Sequence, residues 1–390
     1  MQTYTDPRQI DVAFVYEQLQ EVHPAFQKAK GKAFVDAAYE KLLAKAPSMD
    51  DPSFFFALKA FSSLGADSHT GIVMTPQVVS QLHAVPLQLQ YLQGAWRLSV
   101  VEQQHQDLLG ATVVSVNGIP LDEVVTRASS LVAADNLVWL RHSLAGMFNI
   151  TELYTYLGLA TGPLEPVSFT VVRLGETQAQ EFRVEPVSAQ SFQGFAWATL
   201  YQNPCKTGPS SSYYRAFLIN EGKTLFMQYN VCASSEDYPI DTFTKEVLAQ
   251  LPGLHIQQVI IDLRYNGGGD SRLFEPMMDG LSKLQKQLGF TLDVLIGEGT
   301  FSSALMNAIQ LTQRTECTLV GTPSGGSVNH YGEVKQFTLP NSHLPLFISS
   351  KRFTMDADYP SDSLQPDMLV EPTIEDMLAG IDTTVEATLQ

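Results

Sequence analysis

The sequence predicts an α/β fold with a helical N-terminal part, and three patterns along the chain lead to this prediction. Apolar residues recur at helical spacing over residues 10–46, short strands joined by turns follow over residues 85–132, and strands alternate with helices from residue 216 onward. Strands that alternate with helices indicate a mainly parallel sheet that is covered on both faces. The carboxyl-terminal half is therefore expected to contain a buried sheet.

The length of the chain predicts several domains. The chain has 390 residues, of which 44% are hydrophobic and 17% are charged, and a single core stops growing at about 250 to 300 residues. A stretch rich in turn-forming residues, 203–212, marks one boundary. We divide the chain into a helical subdomain, a β-rich module, a mixed connecting region and an α/β core, over residues 1–80, 81–135, 136–212 and 213–390.

The charge of the chain excludes some classes of partner. The formal net charge is −17 and the basic residues form no run, so binding to a phosphate backbone is disfavoured and no nucleic-acid partner is expected. No stretch of about 18 uninterrupted apolar residues occurs, so no stable membrane insertion is expected. The oligomeric state is left open.

Cysteine spacing and the amino terminus add expectations about redox chemistry and location. The three cysteines, Cys205, Cys232 and Cys317, are far apart and lack a CxxC spacing, so we expect buried thiols and neither a disulfide framework nor a zinc site. The first residues carry no basic and apolar export signal. We expect a soluble protein, cytoplasmic if Met1 is the native start and exported if a signal peptide has been removed.

The amino-terminal half is predicted to be helical first and β-rich afterwards. Two amphipathic helices within residues 10–46 and a third over residues 54–64 lead into a tight loop at residues 65–71. The strands and helices predicted beyond this loop are strands at 72–74, 87–91, 97–101 and 111–116, a helix over 137–159, and a hairpin within 167–184.

The carboxyl-terminal half alternates regularly between strands and helices. Predicted strands lie at residues 225–229, 259–263, 292–296 and 318–320, and predicted helices at residues 243–251, 273–288 and 301–311. We find no internal repeat.

The most specific motif is a buried strand that opens into three glycines. Residues 259–263 are apolar apart from Asp262, and Gly267 to Gly269 follow them. Consecutive glycines let another backbone or a reacting carbonyl approach main-chain N–H groups, as in an oxyanion hole. A phosphate-binding turn or a simple flexible loop is the alternative, although neither GxGxxG nor GxxxxGK is present. Asp262 and Arg264 are expected to pack or to form an ion pair.

Residues 261–269, Ile-Asp-Leu-Arg-Tyr-Asn-Gly-Gly-Gly, resemble the signature of the tail-specific (C-terminal processing) serine peptidases. The resemblance implies a crotonase-like βαβ catalytic core, and residues 109–125 resemble part of the PDZ-like module that the family often carries. In the family, the nucleophilic serine begins the helix after the next strand. The matching segment here is residues 295–305, and alignment on its Ser-Ala pair places Ser303 at the nucleophile.

The electrostatics of a helix N-terminus also favour a nucleophilic serine at this position. Unpaired N–H groups and the helix dipole favour a developing negative charge in the first turn of a helix. Ser302 and Ser303 both qualify, and the ordinary alternative is that one of them only caps the helix. We take Ser303 as the first candidate and Ser302 as the second, with the N–H groups of Gly268 and Ala304 as the predicted oxyanion hole.

The base expected in this chain differs from the base used by the best-known members of the family. Those members use a lysine about 25 residues beyond the serine, and residues 321–329 contain none. Lys335 is the nearest lysine, and it also reads as an ordinary surface residue. Residues 67–71, Asp-Ser-His-Thr-Gly, resemble instead the motif of a histidine-using, tricorn-core-like branch, which implies His69 as the base.

A third catalytic group, an acid that orients the histidine, is predicted less specifically. The histidine branch places it some sixty residues beyond the serine, just before a Pro-Asp pair. Asp362 and then Asp358 are the candidates here, with Glu333 third, and each also fits a solvated turn.

The resemblance implies a serine peptidase that acts on polypeptides by acyl transfer and requires no cofactor or metal. Two alternatives stay open. A catalytically inactive peptide- or small-ligand-binding protein could retain the same fold, and a crotonase-type acyl-CoA enzyme could share the core, because a fold alone does not decide function.

Overall fold

The computed structural model describes residues 4–26, 32–65, 67–201 and 205–389, and these form a mixed α/β structure. The helices are α1 (Pro7–Val22), α2 (Lys32–Lys45), α3 (Asp51–Ser62), α4 (Pro76–Val79), α5 (Leu121–Ala128), α6 (Leu137–Ala145), α7 (Thr151–Tyr156), α8 (Ile240–Gln250), α9 (Glu275–Leu288), α10 (Ser303–Arg314), α11 (Ile374–Ala379) and α12 (Thr383–Thr388).

The strands vary from two to ten residues. They are β1 (Gly71–Ile72), β2 (His83–Ala84), β3 (Leu87–Leu92), β4 (Ala95–Glu102), β5 (Thr112–Val116), β6 (Ile119–Pro120), β7 (Val167–Val172), β8 (Ala179–Val184), β9 (Val187–Ser188), β10 (Trp197–Thr199), β11 (Tyr214–Ile219), β12 (Thr224–Tyr229), β13 (Gln258–Asp262), β14 (Thr291–Ile296), β15 (Cys317–Gly321), β16 (Asn329–Thr338), β17 (Pro345–Thr354) and β18 (Met368–Leu369).

The chain divides into two compact units. The first comprises Met1–Leu200 and His330–Phe353, and the second comprises Tyr201–Asn329 and Thr354–Gln390. The finer division into four parts stays a prediction, and residues 203 and 204 of the predicted boundary stretch lie outside the described residues.

The helical start of the first unit forms as the apolar spacing predicts. The Asp6 carboxylate caps α1 by accepting from the N–H groups of Arg8 and Gln9, and Asp50 caps α3 in the same way. Apolar residues of α1 and α3 are buried at helical spacing. They include Val12, Val15 and Leu19 in α1, and Phe54, Phe55, Phe56 and Leu58 in α3.

The β-rich part of the first unit is a seven-stranded sheet in the order β10-β4-β5-β7-β8, with β3 paired to β4 and β6 paired to β5. The predicted strands at 87–91, 97–101 and 111–116 are confirmed, and the predicted hairpin is β7 and β8, antiparallel from Val167 opposite Val184. The predicted helix over 137–159 was wrong in its length. Gly146 ends the helix, and α6 and α7 are separate.

A second sheet of the first unit has the order β1-β17-β16. The short strand β1 pairs antiparallel with β17, so that Gly71 lies opposite Phe347 and Ile72 opposite Leu346. This sheet fixes the chain directly after residues 67–70, which carry the Asp-Ser-His-Thr sequence.

The second unit contains the predicted parallel sheet. Its order is β11-β12-β13-β14-β15-β18, with β11 antiparallel to β12 and the other neighbours parallel. Every residue of β12 and β13 is buried, as expected for central strands of a sheet with two covered faces.

Alternate residues of the central strands serve two separate cores. Val259, Ile261 and Leu263 pack with residues of α8, α9 and α10, whereas Ile260 packs with Val385 of α12. Because β13 and β14 are parallel, the loops that follow them leave the same edge of the sheet. These two loops carry the glycine motif and the two serines.

All three cysteines are free thiols, but only Cys232 is fully buried. The prediction of buried thiols was wrong for Cys205 and Cys317, which are half-buried because one lies in the turn-rich boundary stretch and the other begins a strand. Among the described residues, no helix combines the length and apolarity needed to cross a bilayer.

Candidate active site

The glycine loop, residues 263–270, follows β13 and is organised by a buried asparagine. The side chain of Asn266 is fully buried. Its Nδ2 donates to the carbonyl of Tyr229 at 2.8 Å, and its Oδ1 accepts from the N–H of Gly268 at 2.9 Å. The asparagine therefore ties the glycines to the end of the neighbouring strand β12.

The serine loop, residues 297–302, follows β14 and is bonded to the glycine loop. Thr300 Oγ1 donates to the carbonyl of Leu263 at 2.8 Å and accepts from the N–H of Gly297 at 3.0 Å. The N–H of Phe301 donates to the carbonyl of Asn266 at 3.0 Å. A side-chain hydroxyl and a backbone N–H of the serine loop thus bond to backbone carbonyls of the glycine loop.

Gly268 lies where the glycine loop approaches Ser302 and the start of α10. Its φ is +106°, and a Cβ at this position would lie 2.7 Å from Ser302 Cβ and 3.0 Å from the backbone nitrogen of Ser303. Real Cβ atoms do not occur at the first of these distances, and a φ in this range is strained for other residues. The approach of the serine loop therefore requires glycine.

Ser302 has an unusual backbone conformation. Its φ of 51° and ψ of −123° lie outside the regions that non-glycine residues favour. The Ser302 carbonyl accepts the helical bond from the N–H of Met306 at 3.1 Å, so Ser302 occupies the N-cap position of α10. Its hydroxyl makes no capping hydrogen bond, so the usual structural reason for a serine here does not apply.

Ser303 is placed differently from its neighbour. It is only 7% exposed, and its Oγ donates to the carbonyl of Gly269 at 2.6 Å. This hydroxyl therefore links α10 to the glycine loop.

The two N–H groups predicted to form the oxyanion hole both donate within these loops. The N–H of Ala304 donates to the carbonyl of Phe301 at 3.0 Å, and that of Gly268 donates to Asn266 Oδ1. The N–H of Ser303 is the first of helix α10, and the first N–H groups of a helix have no partner inside it.

Cys232 supports the glycine loop from the other side. Its N–H donates to the carbonyl of Gly268 at 2.9 Å, and a Cβ on Gly269 would lie 2.2 Å from the Cys232 carbonyl oxygen. Burial raises the pKa of the Cys232 thiol to about 11. The thiol is therefore protonated at neutral pH and is a packing group rather than a nucleophile.

An ion-pair network fixes the start of the glycine loop. Arg264 Nη2 lies 2.9 Å from Asp262 Oδ2 and 2.8 Å from Asp382 Oδ2, and all three side chains are largely buried. Burial raises the pKa of the Asp382 carboxyl, but the nearby Arg264 guanidinium outweighs it and leaves the pKa lowered overall. The expected pairing of Asp262 with Arg264 is confirmed.

The histidine loop, residues 67–70, belongs to the first unit and lies between α3 and β1. The N–H of Thr70 donates to the Asp67 carbonyl at 3.0 Å, which closes the turn. Ser68 and Asp135 bond reciprocally, because the Ser68 N–H donates to Asp135 Oδ2 at 3.3 Å and the Asp135 N–H donates to Ser68 Oγ at 2.8 Å. The side chain of His69 is 9% exposed.

Asp67 is the best-connected side chain of this loop. It is fully buried and accepts from Thr70 Oγ1 at 2.5 Å, from the N–H of His69 at 3.1 Å and from His23 Nε2 at 3.2 Å. Burial raises the pKa of a carboxyl, but these hydrogen bonds outweigh it and hold the pKa of Asp67 well below its usual range. The Asp67 side chain is therefore ionised.

Two further groups surround the imidazole of His69. The ring of His330 stacks on it with centroids 5.5 Å apart, and Phe353 in turn stacks on His330 with the same separation. Burial raises the pKa of the Asp135 carboxyl, and the nearby charge of Asp67 adds to the effect.

Asp67, His69 and Asp135 also offer the donor atoms that a divalent cation would use. One such atom from each residue lies within 4.8 Å of the others, among the described residues. The oxygens of Asp67 already accept three hydrogen bonds. The arrangement is therefore explained by hydrogen bonding within the loop without an ion.

The predicted acids and the alternative base lie on the surface of their own units. Asp358 and Asp362 are exposed in the second unit, and the N–H of Asp358 donates to Asp356 Oδ1 at 3.1 Å. Glu333 and Lys335 are exposed on β16 of the first unit, and Glu333 pairs with Lys351. Sequence reasoning did not single out His23 or His330, because neither lies in a recognisable motif.

Comparison with solved structures gives the fold a name. CPAF in complex with lactacystin has a TM-score of 0.64 and 14% sequence identity, with 98% of this chain and 96% of that chain covered. A serine-to-alanine mutant of CPAF has a TM-score of 0.63 at 14% identity, with 96% and 94% covered. The fold is that of the tail-specific serine peptidases.

The resemblance inferred from the sequence motifs is thus confirmed at the level of the fold. The photosystem II D1 C-terminal processing protease superposes more loosely, with a TM-score of 0.46 and 12% identity over 97% of this chain and 99% of that chain. No protein-family model matches the sequence, and no curated protein matches it.

Proposed function

We propose that this protein is a serine peptidase that hydrolyses polypeptides, with cleavage near their C-termini, by acyl transfer. The observation that carries the proposal is the strained Ser302 at the start of α10, packed against Gly268 in a fold shared with CPAF. Strain of this kind costs of order 1–3 kcal/mol and concentrates at functional sites. In a peptidase fold, strain at this position indicates a nucleophilic serine.

Ser302 is the proposed nucleophile in place of Ser303. A serine on a sharp strand-to-helix turn directs its hydroxyl away from the backbone, and the N–H of the next residue then faces the oxyanion. Ser302 follows β14 and precedes α10 in this conformation, whereas the Ser303 hydroxyl is bonded to Gly269. The assignment from the motif alignment is therefore revised by one residue.

The oxyanion hole is revised in the same way. The N–H of Ser303 replaces that of Ala304, which is bonded to Phe301. The glycine turn 267–269 would supply the second donor, although the N–H of Gly268, the residue predicted, is itself bonded to Asn266 Oδ1. Preorganised donors of this kind stabilise the charge that develops on the carbonyl oxygen in the transition state.

His69 is the proposed base. It would take the proton from the Ser302 hydroxyl as the oxygen attacks the amide carbonyl, and it would give that proton to the leaving amine. Water would then hydrolyse the acyl ester by the same route in reverse. Support comes from the Asp-Ser-His-Thr-Gly motif and from the exposed surface position of Lys335. Asp362 and Asp358 remain the proposed acids from the family pattern.

The finer architecture belongs to the same proposal. Residues 213–390 would be a crotonase-like core and residues 81–135 a PDZ-like module that receives the end of a polypeptide. The parallel order of β12 to β15 in the second unit and the β-rich sheet of the first unit support these assignments.

Labelling with a fluorophosphonate probe tests the function. The wild-type protein is expected to form a covalent adduct and to cut unfolded polypeptides and C-terminally tagged peptides, and His69→Gln is expected to lose both activities. A folded wild-type protein that is neither labelled nor active on any of these substrates would instead be an inactive peptide-binding protein.

A further inference from the structure

The buried carboxylate of Asp67 and the buried imidazole of His23 form an interaction for which the proposed mechanism gives no role. Both side chains are fully buried, and His23 Nε2 lies 3.2 Å from Asp67 Oδ2. We propose that Asp67, in place of the Asp362 or Asp358 of the family pattern, is the residue that positions His69, and that His23 holds Asp67 in place for this task. The inference rests on the proposed function, in which His69 moves the proton.

The hydrogen bonds of His23 indicate its tautomer. The N–H of Ala25 donates to His23 Nδ1 at 3.1 Å, so this nitrogen is an acceptor. The proton of a neutral imidazole is then on Nε2, which donates to Asp67 Oδ2. His23 follows the end of α1, where its N–H donates to the carbonyl of Leu19. A helix end therefore anchors the donor that fixes the carboxylate.

The second carboxylate oxygen of Asp67 faces His69. Asp67 Oδ1 accepts from the N–H of His69 at 3.1 Å, and it lies 3.8 Å from Nδ1 of the same residue. A negative charge at this distance from one ring nitrogen stabilises a positive charge on the ring. Nε2, the nitrogen on the far side of the ring, is then the one left to exchange a proton.

Other titratable groups also face His69, and they contribute to any pH dependence of the labelling rate. Asp135 contributes a second carboxylate, and His330 stacks on the imidazole. Asp67 differs from both because it bonds directly to the backbone of His69 and is itself held by His23 and Thr70.

A purely structural role for Asp67 would explain only part of this arrangement. A carboxylate that closes a turn by accepting from the N–H two residues ahead is common in loops. Such a turn does not need a buried histidine 44 residues away in the chain. Burial of the His23–Asp67 pair costs free energy of desolvation. A role of Asp67 in positioning the His69 imidazole would account for this cost.

The chain offers a matched control in the same unit. Glu152 is a buried carboxylate that lies 2.9 Å from Nδ1 of His83 and also accepts from the His83 N–H. Glu152→Gln therefore removes the charge of a buried carboxylate that is paired with a half-buried histidine, at a site separate from the His69 loop. Its effect measures what loss of such a pair does to stability alone.

The test is the rate of fluorophosphonate labelling of the full chain between pH 5 and 9. Asp67→Asn is expected to slow labelling about 10²-fold at the optimum. The shape of its pH profile is also expected to change, because the ring of His69 loses the negative charge that lies 3.8 Å from its Nδ1. Glu152→Gln is expected to leave the shape of the profile unchanged.

A second pair of variants tests the role of His23 without removing the carboxylate. His23→Ala is expected to slow labelling, and His23→Gln is expected to restore part of the rate because its amide nitrogen can donate where Nε2 did. Melting temperatures of all variants show which of them fold.

The outcomes separate this inference from the proposed function. A labelled wild type together with an Asp67→Asn profile identical to that of Glu152→Gln would overturn the role of Asp67 and leave the peptidase proposal intact. A wild type that is never labelled would overturn the proposed function itself. If Asp67→Asn fails to fold, equal rates for folded His23→Ala, His23→Gln and wild type would overturn the inference.

Discussion

The serine loop of the second unit and the histidine loop of the first unit are built by different means. Hydrogen bonds from Thr300 Oγ1 and the Phe301 N–H to backbone carbonyls hold the serine loop against the glycine loop, and Gly268 packs directly against Ser302 and Ser303. Side chains hold the histidine loop, through the hydrogen bonds that converge on Asp67. The first loop should therefore be sensitive to added volume, and the second to a change of charge.

The largest effect is expected from adding one methyl group to the serine loop. Gly268→Ala should reduce the rate of fluorophosphonate labelling about 10²- to 10³-fold, because the new Cβ displaces Ser302 and the N–H of Ser303. Gly267→Ala is the matched control, since a Cβ there would meet no atom within 4 Å. Equal labelling rates for the two variants would show that the close approach does not matter.

The charges of Asp67 in the histidine loop and of Asp135 beside it should have opposite effects on the stability of the protein. The folded-state pKa of Asp67 is lowered, so its ionised form stabilises the protein above the usual pKa of an aspartate, and that stability is lost as the pH falls below it. The folded-state pKa of Asp135 is raised, so its charge is destabilising at neutral pH.

Thermal unfolding at pH 7 measures this difference. Asp67→Asn should lower the melting temperature, and Asp135→Asn should leave it unchanged or raise it, because the amide can still accept from Ser68. At about pH 3 the deficit of Asp67→Asn should be smaller than at pH 7. Equal shifts for the two variants at pH 7 would contradict the difference between the two carboxylates.

The smallest effect is expected outside both loops. Lys335 is exposed on β16, so Lys335→Ala should change the labelling rate by less than about twofold, since exposed surface substitutions rarely perturb a structure. A loss of more than tenfold in a folded variant would indicate that this lysine is the base.

The sequence patterns predicted elements well where periodicity was strong. The central strands β12, β13 and β14 are mainly apolar, and their ends were predicted to within one residue. The β16 strand was not predicted, because residues 333–336 are all exposed and include only one apolar residue, Val334, so no alternation marks a strand. The apolar pattern over residues 137–159 also gave no indication that a helix ends at Gly146.

The candidate site was predictable to within one residue but not in its details. Motifs located the serine pair, His69 and the glycine turn. The choice between Ser302 and Ser303 depends on a backbone angle of +51° that no residue pattern encodes. The contact of His23 with Asp67 joins segments that are 44 residues apart, and sequence spacing alone does not reveal such a contact.

The central claim is that the strained Ser302, and not the neighbouring Ser303, is the nucleophile. The most direct test is to label the wild type, Ser302→Ala and Ser303→Ala with the fluorophosphonate probe and to locate the adduct by mass spectrometry. Ser302→Ala should abolish labelling. Ser303→Ala should retain it within about tenfold while losing about 1 kcal/mol of stability with the bond to Gly269.

The location of the adduct decides between the two residues. We expect the adduct on Ser302 in both labelled proteins. An adduct on Ser303 in the wild type, together with full labelling of Ser302→Ala, would contradict the assignment of Ser302.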